Sequence, residues 1–195
     1  MYLDTQTSVP AQGPGLSRPL VQPACVTPAA RYTRTARILH WVCAIVILWA
    51  MITGMLAASM ESGTALKTLI SSLNVSLTAT LIPFFIWRIA HRLAHPAPRD
   101  KRLSEETRYL AQQGHLWLYV VTSVVLISGV LMMDHSISWF GLVEIPTPIQ
   151  NPSLNAGFNR LHAWSSRALA LMVFGHLVAV FHHHARGYNV MSRMV

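Results

Sequence analysis

Residues 161–176 read LHAWSSRALALMVFGH, an apolar stretch with a histidine near each end, His162 and His176, and His182, His183 and His184 follow closely. Fourteen helical residues turn through about 1400° and rise about 21 Å, so both rings lie on nearly one face. In a helix crossing a hydrocarbon core of roughly 30 Å, one imidazole would sit near each membrane surface, aimed at the same neighbours. A polar ring at such depth is costly and needs a partner. Neutral imidazole serves as a metal ligand. Bis-histidine ligation of haem iron takes one imidazole from each of two facing helices at equal depth, while the macrocycle fills an apolar slot. His40, in ARILHW, meets that requirement with His176.

Blander readings stand beside the other histidines. A single intramembrane histidine is as often a hydrogen-bonded packing residue as a ligand. His115, after Gly114, reads as packing or a quinone contact rather than a ligand. His182 and His184 suit the negative end of a helix dipole. His91 and His95, among arginines, read as solvated surface. Met51, Met55, Met132 and Met133 read as lipid-facing or packing residues rather than axial ligands. Cys25 and Cys43 form no CxxC or CxxCH motif, so any haem is bound without covalent attachment.

The elements that must position these groups are long apolar helices. Of the 195 residues 52% are hydrophobic and only 11% charged, far below the quarter or so usual in soluble domains. Four uncharged runs, Ile38–Met60, Thr68–Trp87, Tyr109–Met133 and Ala168–Ala185, can each cross a bilayer. The last extends outward to about Asn159 if Arg160 and Arg167 snorkel. Pro83 predicts a kink in the second run. The expected fold is an all-α integral membrane bundle of four transmembrane helices over residues 31–195, preceded by a disordered tail at residues 1–30.

The net charge of +8 does not indicate nucleic-acid binding, because the basic residues cluster beside the apolar runs. Arg31, Arg34 and Arg37 precede the first run, and Arg88, Arg92, Arg99, Lys101, Arg102 and Arg108 fill the second connection. Lys67 alone lies in the first connection, and Asp134 to Arg160 is nearly free of basic residues. Both termini should therefore be cytoplasmic.

The motifs RYTRTARILHWVCAIVILWAM, WRIAHRLAHPAP, QQGHLWLYVVTSVVLISGVLMM and RLHAWSSRALALMVFGHLVAVFHHH resemble the bacterial cytochrome b561 family, which includes the b subunits of nickel-iron hydrogenase and formate dehydrogenase. The resemblance implies a multi-pass protein of the bacterial inner membrane. Its b haems would pass electrons between an outer-face donor and a quinone near the cytoplasmic face. It implies His40 and His176 as ligands of the inner haem and His162 as one ligand of an outer haem. His183, Arg88 and Arg92 match residues of the quinone region. Arg34, Arg37 and Arg88 are candidates for haem propionates or a quinone headgroup. The family's second outer ligand is a histidine on helix 2, and Asn74 stands at that place.

Three arrangements of the outer level stay open: His135 substitutes as ligand, the iron is five-coordinate on His162, or the site is empty and the protein holds one haem. Functionally, one branch of the family is a superoxide:ubiquinone oxidoreductase. The alternative is a haem-bearing anchor for a periplasmic dehydrogenase or hydrogenase. A transporter using the histidines as a relay is the third reading, and it predicts no bound haem.

Overall fold

The structure is a computed structural model that describes residues 32–95 and 104–186. The expected tail at residues 1–30 lies outside the described residues, as do Arg31, Arg99, Lys101 and Arg102. Four helices form the body: α1 Arg34–Ser59, α2 Ala65–Ala94, α3 Glu105–Leu131 and α4 Pro152–Ala185. Each is long and apolar enough to cross a membrane. They overrun the apolar segments read from sequence because each starts at a capping residue beyond the greasy core. Thr33, Thr64, Ser104 and Asn151 turn side-chain oxygens back onto the first free backbone N–H groups. Pro152 opens α4 where no N–H is needed. α2 runs unbroken through Pro83.

The helices run alternately up and down. Cys43, Leu81 and Phe85 form a buried cluster joining α1 to α2, and Tyr119 and Leu126 of α3 pack against it. α1 lies along α2 and α3 along α4, with sparser direct contact between the two pairs. Such a seam between helix pairs is where bundles hold cofactors. The outer surface carries Ile38, Ile45, Ile52, Leu110, Ile127, Leu171 and Phe174. Inside lie small and hydroxylated residues, Thr53, Ser76, Thr122 and Ser128. Lipid solvates apolar surface as well as a core does, so close helix contact favours small residues and returned hydroxyls. Thr53 donates to the Trp49 carbonyl at 2.8 Å and Ser128 to that of Val124 at 2.6 Å.

The bundle is organised in layers at seven-residue steps. His40, Ile47 and Gly54 share one stripe of α1; Asn74, Leu81 and Arg88 share one of α2. His115, Thr122 and Gly129 share one of α3, and His162, Leu169, His176 and His183 one of α4. Seven residues are about 20° short of two turns, so each set stays on one face. Three layers result: His40, Arg88, His115 and His176 at the end where α1 starts and α4 finishes, Ile47, Leu81, Thr122 and Leu169 in the middle, and Gly54, Asn74, Gly129 and His162 at the opposite end.

The third connection is more ordered than its proline-rich sequence suggests. β1 Ile137–Trp139 pairs antiparallel with β2 Val143–Ile145. Phe140, Gly141 and Leu142 join the strands: Phe140 and Gly141 both have positive φ, 52° and 71°, which closes a turn in which the Leu142 N–H donates to the Trp139 carbonyl at 3.0 Å. From the level where Arg88 meets Tyr119, α2 continues about 35 Å to Ala65, but α3 only about 18 Å to Leu131. The hairpin fills that step. Its buried anchor is Ser76 of α2, which accepts from the Phe140 N–H at 3.0 Å and donates to the Ser138 carbonyl at 3.3 Å. The Trp139 indole N–H donates to Thr80 at 2.9 Å. Asn155 ties the start of α4 to the end of α3 through the Met133 carbonyl at 2.7 Å.

Candidate functional site

The layer at the start of α1 gathers three histidines from three helices around one guanidinium. Arg88 donates to Nδ1 of His40 at 2.9 Å, to the His40 carbonyl at 3.3 Å and to the Tyr119 hydroxyl at 3.1 Å. Its guanidinium also lies over the Tyr119 ring, 5.3 Å from the centroid. His115 and His176 meet edge to face, with centroids 5.4 Å apart and planes at 76°. His40 and His115 line one cleft. His40 and His176 thus share a depth, as their positions in the two apolar runs led one to expect.

An open cleft beside this layer is lined by Tyr32, Leu39, His40, Arg88, His91, Arg92, His95, His115 and Tyr119. His91 corrects the sequence reading. It is half-buried rather than solvated, sits 3.3 Å from the Thr33 hydroxyl, and stacks on His95 with centroids 4.4 Å apart. Nothing in its sequence context, a run of arginines and histidines, distinguishes it from a surface residue; only the return of α1 beside α2 does. Arg34 is exposed on the first turn of α1, and Arg37 is half-buried one turn on. His183 lies two turns beyond His176 on the same face and is half-buried, whereas His182 and His184 are exposed. Among the described residues no three His, Cys, Asp or Glu side chains are grouped to hold a bare metal ion.

At the opposite end His162 lies against α3. Its Nδ1 is 3.0 Å from the Val125 carbonyl and 3.4 Å from the Ser128 hydroxyl. A methyl group on Gly129 would come within 3.2 Å of the ring, so the glycine makes its place. Asn74 faces α1: its Oδ1 accepts from Thr53 at 3.4 Å, and its Nδ2 would be 3.4 Å from a methyl on Gly54. His135 is exposed past the end of α3, its Nδ1 2.6 Å from Asp134. That hydrogen bond holds the Asp134 carboxyl below its usual range, and bonds from Ser136 and Ser138 do the same for Glu144.

The tautomers decide what these rings can hold. A carbonyl oxygen only accepts, so His162 and His115, the latter 2.6 Å from the Ala111 carbonyl, carry their proton on Nδ1 and leave Nε2 bare. That is the form in which imidazole ligates iron. Arginine only donates, so Nδ1 of His40 accepts and Nε2 carries its proton. Ligation through His40 Nε2 therefore requires Arg88 to turn to another acceptor, and a haem propionate is one. With that single rearrangement, imidazoles at matched depth, apolar walls and the Arg88 guanidinium form a donor set that fits haem b.

The comparisons with known proteins agree. A model of the prokaryotic cytochrome b561 family matches residues 31–195. This chain belongs to that family. It is 28% identical to cytochrome b561 homolog 2 of Escherichia coli over 174 residues, covering 85% of this chain and 91% of the relative. No solved structure matches it. The chain is accordingly a multi-pass membrane protein of a family that binds b-type haem and transfers electrons.

Proposed function

We propose that this cytochrome takes electrons from a donor at its outer face and passes them to a quinone at its cytoplasmic face, in a bacterial inner membrane. The observation that carries the reading is the layer of His40, His115 and His176 around Arg88, beside a cleft lined by hydrogen-bond donors. Haem b bound there supplies a one-electron iron couple in a low-dielectric slot. His40 and His176 would hold its iron, and Arg88, with Arg34 and Arg37 nearer the mouth, would pair with its propionates. Tyr32, His91 and Arg92 offer donors to a quinone carbonyl, and Ala36 and Leu39 offer apolar contact to its ring. His183 extends the same stripe toward the mouth of the seam. Reduction of the quinone takes two electrons and two protons, and a cleft open at the cytoplasmic end admits the protons.

At the outer level His162 is ready to ligate, but neither Asn74 nor His135 answers it. The Asn74 oxygen accepts from Thr53, its NH₂ packs at Gly54, and His135 is hydrogen-bonded to Asp134 on the exposed surface. This supports one haem rather than two. A donor such as superoxide, or a periplasmic dehydrogenase that this chain anchors, would deliver electrons at that face. The two are separated by mixing the oxidised, quinone-free protein with superoxide. Haem reduction by superoxide, with quinol formed when ubiquinone is added, identifies the self-sufficient enzyme; no reduction assigns the chain to an anchoring role.

A further inference from the structure

The proposed ligand His176 needs an acceptor for its second ring nitrogen. A ligating imidazole bound through Nε2 keeps a proton on Nδ1, and the group that receives it fixes the ring's rotation and sets how strongly the ring donates to iron. For His162 and His115 that acceptor is a backbone carbonyl. The ring of His176 makes no such bond among the described residues, and the polar group packed against it is His115. The His115 tautomer is fixed by its bond to the Ala111 carbonyl at 2.6 Å. Its Nε2 is therefore a lone-pair acceptor, on the neighbouring helix and at the same layer. An N–H···N bond of about 3 Å between two imidazole edges places the centroids about 5 Å apart. The observed centroid separation of 5.4 Å, with planes near perpendicular, is close to that distance.

Resting on the ligand role proposed for His176, we infer that His115 is the positioning residue for that ligand. The relay runs from His176 Nδ1–H to His115 Nε2, and from His115 Nδ1–H to the Ala111 carbonyl. An acceptor on Nδ1–H makes His176 a stronger donor, which stabilises ferric over ferrous iron. His115 therefore holds the haem potential down, and so favours onward delivery of the electron to the quinone. Its position in the cleft wall puts the same side chain at the boundary between the haem ligand and the quinone, where a tuning group has most effect.

The test is a redox titration of purified, haem-loaded protein, following the α-band, for wild type, His115→Ala and His115→Gln. The Ala variant should keep wild-type haem content and a low-spin spectrum but titrate at a higher midpoint potential. The Gln variant, whose side-chain carbonyl can accept from His176, should lie nearer wild type. An unchanged potential in His115→Ala overturns the inference, as does loss of low-spin haem from both variants, which would make His115 a ligand. His176→Ala is the separate control. If it keeps a low-spin spectrum, the ligand role of His176 falls; if it loses the spectrum while His115→Ala titrates as wild type, only the relay falls.

Discussion

Asn74 and His162 occupy equivalent places on their helices, each fourteen residues before the cation or imidazole of the opposite layer, Arg88 and His176. At that level α1 and α3 present glycines, Gly54 and Gly129, which accommodate the amide and the ring. Replacing Asn74 with His would set a second imidazole at the depth of His162. Asn74→His should raise haem per polypeptide, or convert a high-spin signal to low-spin, read by a haem assay with an absorption spectrum. No change in either would remove Asn74 from the outer level. The shared depth of His40 and His176 was legible in the sequence because depth along an apolar run is countable. The bond from Arg88 to His40 and the contact of His115 with His176 were not. They depend on which helix faces lie together, and the apolar pattern of a membrane helix, greasy toward lipid on every side, does not mark its inner face as a soluble amphipathic helix does.

Between the helices the hairpin is the element most dependent on tertiary contacts. Three-residue strands do not stand alone in water, and Phe140 holds a left-handed backbone conformation that costs a bulky residue of order 1 kcal/mol. What repays it is Ser76, fully buried and bonded to both Phe140 and Ser138. Ser76→Ala leaves the Phe140 N–H without its acceptor and should cost about 1–3 kcal/mol. The measurement is thermal unfolding in detergent, with protease cleavage between residues 134 and 151 as the local probe. A lower Tm and faster cleavage are expected; cleavage at the wild-type rate would mean that the hairpin is held otherwise. Phe140→Gly removes the conformational cost and should slow that cleavage. The sequence reading treated Asp134 to Arg160 as the third connection and assigned no strand there. No Asn-Gly or Asp-Gly announces the turn, and a strand of three residues is too short for alternation to register. The four helices were legible, since an uncharged run of about twenty residues has few other uses.

Across the whole molecule, four of the six tryptophans mark two levels. Trp41, Trp87 and Trp117 are exposed next to His40, Arg88 and close to His115, and Trp164 is exposed two residues beyond His162. Indoles gather at the two membrane interfaces, so the histidine layers lie just inside them. Arg167, inside the apolar run of α4, stacks on Trp164 at 5.3 Å and so carries its charge toward the outer level. In the sequence, twelve of the 15 basic residues precede the first apolar run, lie between the second and third or follow the fourth, whereas of the rest only Lys67 and Arg160 lie near the opposite ends of the runs. Reporter fusions at residue 100 and at the C-terminus should both report cytoplasm; an outward C-terminus would contradict an even number of spans. The central claim is that haem b sits between His40 and His176. It is tested most directly by the reduced-minus-oxidised spectrum and haem content of purified wild type, His40→Ala and His176→Ala. The account predicts close to one low-spin haem per chain in wild type and loss of that signal in each variant. Wild-type spectra in both variants would contradict it.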